Sequence, residues 1–566
     1  MTSSSTPLSS DQDPQEPTTR QTSLLDATCE NFVYDMAEHS PTLATELGIV
    51  GYDGELQDFS PEYWDSLADR IRELMADVDA LNDGTDESDD EDDFDSVDHV
   101  TAAILRDRMG LELELLHQGE FQAQLNNIES PVQTIRDTFS LMPTDTPEQL
   151  EAIESRLSKV AHALHGYRES LADAASHGLV AAHRQIDAVI DQCENLADEG
   201  SLLESLGVDP ESSAVTSAKA AFGEMADWLS TELNPLGSLE EAFGRERYEL
   251  FSEYFVGYQV DLDEAYEWGL DQLHQIVSKQ KQLARKLYGD DCPVRVAYRR
   301  LNEESRYTLE GTDELQQWMS KVSHRAIEEL DGMHFTIPEE IKELDCRIDP
   351  AGSGGIFYTP PADDFSRPGT MWWSVPKGQT TFHKWQELST VFHEGVPGHH
   401  LQLGITLTEK DNLNLWRRTM NWHSGHGEGW ALYAEQLMDE FGYMRDPGMK
   451  MGLLDSQRLR AARVVLDIGV HLGKKVPEGS GVWDASYAKS FLRDNTAMDE
   501  ANLSFELDRY MGWAGQAPSY ALGQRAWVQL RDDALAEGQT LTQFHDAALR
   551  LGSMPMDLLR NEILNN

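Results

Sequence analysis

The amino-acid sequence predicts a mainly α-helical protein with one small β-hairpin beside its functional centre. Three observations lead there. Apolar residues recur at helical spacing over most of the chain, two short β-prone runs are confined to residues 356–375, and a histidine-rich segment follows them closely. With 566 residues, 40% of them hydrophobic, the chain can bury a large core.

Residues 1–22 are rich in Ser, Thr, Pro, Gln and Asp. They are expected to form a disordered leader, because so little apolar surface cannot offset the entropy of ordering. Residues 23–310 read as an N-terminal helical scaffold. Leu24, Leu25, Phe32, Val33 and Met36 fall mostly at helical spacings, and Tyr63 to Leu81 repeats the pattern. Residues 82–98 contain the run DESDDEDD, which repels itself and is expected to be an exposed acidic loop. It lacks the ordered Asp spacing and distal Glu of a calcium loop. From 99 to 290, helical runs are separated by breaks at Pro131, Pro143, Pro147, Gly200, Pro210 and Pro235. The aromatic residues between Tyr248 and Leu287 are read as core, and no internal repeat of 20 to 50 residues is visible. Residues 311–566 are expected to carry the metal site.

Charge narrows the function. The chain has 101 acidic residues against 45 basic ones, a formal charge of −56, with no lysine before Lys159. Such a surface repels nucleic-acid phosphates and anionic membranes. It also favours a salt-rich solvent, where the Debye length falls to about 3 Å at 1 M. The expectation is a cytoplasmic protein of a halophile. Cys29, Cys193, Cys292 and Cys346 are widely spaced and suggest reduced core thiols rather than a disulfide framework. No signal-like apolar segment and no run of 18 apolar residues occur, so neither secretion nor a membrane span is expected.

The chemistry concentrates in residues 389–402, STVFHEGVPGHHLQ. A zinc hydrolase of the H-E-x-x-H type places two histidines one turn apart, with a glutamate beside the first as general base. Here the fourth position after His393 is Pro397, and the next histidines are His399 and His400. On a straight helix His400 would nearly regain the face of His393, but about 10.5 Å further along the axis. A two-residue bulge at Pro397 and Gly398 would instead return His399 to the metal. His393 and His399 are therefore the favoured ligands. His400 is left for a catalytic role, and His423 and His426 are rival ligands.

Glu428 heads the helical run EGWALYAE and is the expected third ligand. Glu435, seven residues on, is placed to orient a ligand from behind. Two neutral imidazoles and one carboxylate leave a bound zinc ion about one positive charge, which favours ionising a water, with Glu394 to accept its proton. The preceding hairpin, Ile356–Thr359 and Met371–Val375, could pair with an extended peptide, which makes Tyr358 a substrate-binding candidate.

HEGVPGHHLQ and EGWALYAE resemble signatures of the DUF885 family, within the wider zincin metallopeptidase group. GGIFYTPPADDFSRPGTMWWSVP, RVVLDIGVHLG and DRYMGWAGQAPSYALGQ extend the resemblance over most of the chain after the leader. It implies a large helical zincin-like body with a cleft and a small sheet.

Further on, Arg463, Asp467 and His471 step by four along one helix face. Asp467 is assigned to orienting a histidine and His471 to the cleft. Tyr520 or Tyr510 is expected to donate to an oxyanion, and Arg509 to clamp a substrate carboxylate. Together these readings predict a zinc metallopeptidase with one ion and a peptide or other small amide substrate. The alternatives are a zinc hydrolase of another amide or ester, and a non-catalytic helical scaffold. The sequence assigns no oligomeric state.

Overall fold

Helix starts follow the local chemistry of the chain. Ser23 and Thr146 close capping boxes on the helices Leu24–His39 and Pro147–Leu157, and Asp446 accepts from the backbone N–H groups of Gly448 and Met449 at the head of Pro447–His471. Pro131 and Pro147, read as breaks, each occupy the first turn of a helix, where a missing N–H costs nothing. A computed structural model describes residues 20–82, 94–349, 355–376 and 378–564.

Most of the expected leader and of the acidic loop lies outside the described residues. At their described edges, Arg20 pairs with Asp26 and Asp98, and the helix Ser96–His117 begins within the segment assigned to the loop, capped by Asp95. Arg20 thus ties the start of the first helix to the start of another far along the chain.

The architecture is mainly α with little sheet, as the periodicity predicts. One hydrophobic cluster runs from Leu25 to Ile563 and gathers side chains from both halves of the sequence. A second is built on the 27-residue helix Leu262–Tyr288 and the 25-residue helix Pro447–His471. The helices Ser424–Glu440 and Gln516–Ala536 touch backbone to backbone: a Cβ at Gly429 would lie 2.4 Å from the carbonyl carbon of Gly523. That close approach fixes the start of the helix carrying Glu428.

Five short strands complete the fold: β1 (Thr308–Glu310), β2 (Leu344–Ile348), β3 (Ile356–Thr359), β4 (Gly369–Trp373) and β5 (Thr381–His383). The expected hairpin is β3 and β4, antiparallel with Ile356 opposite Trp373 and Thr359 opposite Thr370. β2, which the sequence reading missed, joins β4 in parallel, giving the order β2-β4-β3. Cys346, Met371 and Trp373 pack with Val391 of the helix Lys384–Glu394, so the sheet seats directly on the helix that carries His393. Cys29, Cys193 and Cys346 are buried, Cys292 is partly exposed, and none is in a disulfide. No helix among the described residues is long and apolar enough to cross a membrane.

Candidate metal centre

The backbone makes the centre by stopping one helix and starting another. Lys384–Glu394 ends, the Val396–Pro397 peptide is cis, and His399–Thr408 begins two residues later. The expected bulge within one continuing helix is therefore replaced by a complete break. The Gly398 N–H donates to the Phe392 carbonyl at 3.0 Å, and the Trp430 indole donates to the Pro397 carbonyl at 2.9 Å, so the turn is tied at both ends. A Cβ at Gly398 would sit 1.8 Å from the His393 carbonyl oxygen, so only glycine lets the chain fold back this tightly.

The break brings His393 and His399 to one carboxylate. Glu428 Oε2 lies 3.1 Å from His393 Nε2 and 3.4 Å from His399 Nε2. Bonds of about 2.0–2.2 Å in a tetrahedral site give donor-to-donor edges of about 3.3–3.6 Å. The 3.4 Å separation lies in that range and the 3.1 Å one just below it, and all three side chains bring a donor within 4.8 Å of the others, close enough to converge on a single zinc ion. Among the described residues these three form the one group of His, Cys, Asp or Glu side chains with that convergence. Behind them Glu435 Oε1 lies 3.0 Å from His393 Nδ1, which turns Nε2 toward Glu428, while the Ser456 hydroxyl donates to Glu435 Oε2 at 2.9 Å.

The local field favours a cation. Burial opposes a charge on His393, but the hydrogen bonds to Glu428 and Glu435 prevail and raise its pKa to about 10. Burial also opposes the charge of Glu428, yet the two imidazoles hold its carboxyl well below the usual range. Glu394 is buried and its pKa is raised, chiefly by desolvation. It lines the same cavity of about 820 Å³ as the three donors, Tyr520 and Arg509.

The other candidates divide. The Tyr520 ring stacks on His393 with centroids 6.3 Å apart, and its hydroxyl accepts from Arg509 at 3.2 Å. Burial and the nearby Glu428 raise the Tyr520 phenol, so it stays a donor. Tyr358 lines the cavity, but its hydroxyl lies 2.8 Å from His400 Nδ1. His400 is corrected by this geometry: fully buried, with Nε2 2.7 Å from the Ile341 carbonyl and its pKa lowered by burial to about 4, it braces β3 and is absent from the cavity wall.

His471 and Asp467 are corrected likewise. His471 Nε2 faces the Tyr510 carbonyl at 2.8 Å, while Asp467 accepts from Tyr248 at 2.7 Å and from the Gly515 N–H at 2.9 Å. The pair, 3.8 Å apart, joins helices in the core and does not orient a histidine of the centre. His423 and His426 are buried outside the three-donor group, and desolvation lowers both, His426 to about 3. Tyr510 is held by Arg463 at 2.5 Å.

Sequence reasoning missed Arg460 as a cavity residue and placed Arg463 only in a helix row; both line the cleft. The available signal was three arginines in RLRAARVVLDIGVH, an otherwise largely apolar helix of a chain poor in cations.

No curated protein matches the sequence. Among solved structures, a protein of Colwellia psychrerythraea described as a "putative lipoprotein" superposes with a TM-score of 0.82 at 21% identity, covering 96% of this chain and 98% of that one. A second, a "putative lipoprotein of unknown function" from Shewanella oneidensis, gives 0.69 at 16% identity over 95% and 99%. Lipoproteins are held at membranes by lipid, so these relatives overturn the expected cytoplasmic placement. The physical reason is that an acidic surface reports the solvent and its salt, not the compartment. The family profile described as "Bacterial protein of unknown function (DUF885)" matches residues 41–563, and the chain belongs to that family.

Proposed function

We propose that the protein is a zinc-dependent hydrolase of zincin-like type that cleaves peptides. The observation that carries this reading is the convergence of His393, His399 and Glu428, with Glu428 Oε2 3.1 and 3.4 Å from the two Nε2 atoms and the carboxyl of Glu394 on the same cavity wall. A zinc ion bound there supplies a Lewis acid that polarises a carbonyl and acidifies water.

The remaining steps belong to the chain's own groups. Glu394 takes a proton from the attacking water as its oxygen joins the amide carbon, then delivers that proton to the amine nitrogen as the C–N bond breaks. Its raised pKa suits both halves of that cycle. Tyr520, kept protonated, donates toward the charge that develops on the carbonyl oxygen. Glu435 holds His393 in one tautomer throughout.

A peptide is favoured over other amides and esters by β3. It is an outer strand of the order β2-β4-β3, and Ile356 to Thr359 line the cavity, so an extended substrate can add to its edge by main-chain hydrogen bonds. The charge of −56 supports a salt-adapted member of the family.

The Glu394→Gln variant tests the mechanism. It keeps the three donors and is expected to retain zinc while losing roughly 10²- to 10⁴-fold in kcat on peptides. Undiminished turnover would remove Glu394 from the role of base.

A further inference from the structure

Three arginines stand on the cavity wall beside the three donors, in a cavity whose lining also includes Glu46, Glu129, Asp137, Glu387 and Glu394. Arg460, Arg463 and Arg509 all line it, in a chain with only 45 basic residues against 101 acidic ones. Arg463 and Arg509 are 5% and 8% exposed, so their charges are largely out of water. Buried cations are costly unless anions meet them, and among the described residues the carboxylates within 4.0 Å of these three guanidiniums are Glu506 and Glu435. Glu506 is shared: Oε2 accepts from Arg463 at 2.8 Å and Oε1 lies 3.5 Å from Arg509. The other contacts of Arg509 are neutral, Gln516 Oε1 at 2.6 Å and the Tyr520 hydroxyl at 3.2 Å. Arg460 donates to the Ser456 hydroxyl at 2.8 Å and lies 4.0 Å from Glu435, whose Oε1 already faces His393. The Nε atoms of Arg460 and Arg509 are buried without a hydrogen-bond partner.

Distance ties this wall to the reacting centre. The Arg463 guanidinium lies 4.8 Å from the Tyr520 ring centroid, and that ring stacks 6.3 Å from His393. The two legs keep the guanidinium within about 11 Å of the His393 ring, a reach of at most about three extended residues at about 3.5 Å each. An anionic group held there therefore lies very near the bond to be cut.

We propose that Arg460, Arg463 and Arg509 receive the C-terminal carboxylate of a peptide, so that the enzyme removes one or two residues from a free C-terminus. This rests on the metal-hydrolase reading and adds its substrate class. Guanidinium groups match a carboxylate with paired N–H donors, and a substrate carboxylate adds a third negative charge to three guanidiniums that share Glu506 and Glu435. The scissile carbonyl then lies one or two residues back along the β3 edge, beside Glu394.

The test uses the full-length zinc-loaded protein and N-acetylated pentapeptides of one sequence, as the free acid and as the C-terminal amide, with products identified by mass. The expected result is loss of one or two residues from the free acid, with kcat/KM at least ~100-fold above that of the amide, because an unmet buried polar site strongly rejects the analogue lacking its partner. Arg463→Gln is expected to collapse this preference, chiefly through KM for the free acid. If that variant does not fold, the wild-type acid–amide comparison decides alone. Equal cleavage of acid and amide, or cutting at internal bonds first, overturns the carboxylate assignment and leaves the hydrolase reading standing. Failure to cut either peptide while turning over an ester or another amide overturns the peptide reading, and this proposal with it.

Discussion

Replacing Gly398 by alanine tests whether the interrupted helix makes the metal centre. The added methyl carbon would lie 1.8 Å from the His393 carbonyl oxygen and 2.5 Å from that of Phe392, where real Cβ atoms essentially never come within 3.0 Å. The chain must therefore open by about 1.2 Å at the turn that sets His399 against His393. A movement of that size is enough to take His399 Nε2 from 3.4 Å to beyond 4 Å from Glu428 Oε2, outside the edge of a tetrahedral site. Overpacking of this kind costs about 1–3 kcal/mol. Loss of ligand geometry is expected to weaken zinc by at least the ~10- to 100-fold seen for disturbed supporting residues. Zinc competition against a chromophoric chelator, with thermal melting alongside, reads both effects. Gly110→Ala is the control, because its methyl meets nothing within 4 Å and lies inside the helix Ser96–His117. It should stabilise by about 0.5–1 kcal/mol and leave zinc untouched. Unchanged zinc affinity in Gly398→Ala would refute the argument that the turn positions His399.

Other parts of the structure make separate predictions. Glu435→Gln removes the charge 3.0 Å behind His393 and should weaken zinc by about 10- to 100-fold in the same competition, whereas an unaltered affinity would show that Glu435 does not support the ligand. Burial raises the Asp455 carboxyl to about 6, against hydrogen bonds from Tyr298 and the Ala497 N–H that favour the anion. Because the unfolded value is about 3.9, the folded state binds more protons between about pH 4 and pH 6, and stability falls as pH rises through that window by about 3 kcal/mol. Denaturant melts of Asp455→Asn should lack this component, and an identical pH profile would count against it. With a charge of −56, circular dichroism is expected to show loss of structure at low salt and its return toward 1 M, and full stability in dilute buffer would contradict the salt adaptation.

Much of the architecture is legible in periodicity, because helix and hairpin patterns are local. The hairpin of β3 and β4 lies where alternating, β-prone residues place it, whereas β2 escaped notice because the partner that makes LDCRI a strand, β4, lies some 25 residues away. Pro397 and Gly398 signal an interruption between the histidines, but the sequence suggests a bulge where the chain breaks completely and restarts at His399. The separate role of His400 was not visible, because it depends on Tyr358 and the Ile341 carbonyl arriving from elsewhere in the chain. The row Arg463, Asp467 and His471 shows the same limit. Spacing puts the three on one helix, yet neighbouring elements turn Arg463 toward the cavity and bury Asp467 and His471 against Tyr248, Gly515 and Tyr510.

The central claim is that His393, His399 and Glu428 hold one zinc ion. Its most direct test is the zinc content of purified protein after equilibration with a slight excess of metal, measured side by side for the native chain, Glu394→Gln and His399→Ala. The account predicts one zinc per chain in the first two and loss of tight binding in the third. A native chain that binds no zinc, or His399→Ala that binds it as tightly as the native chain, would contradict it.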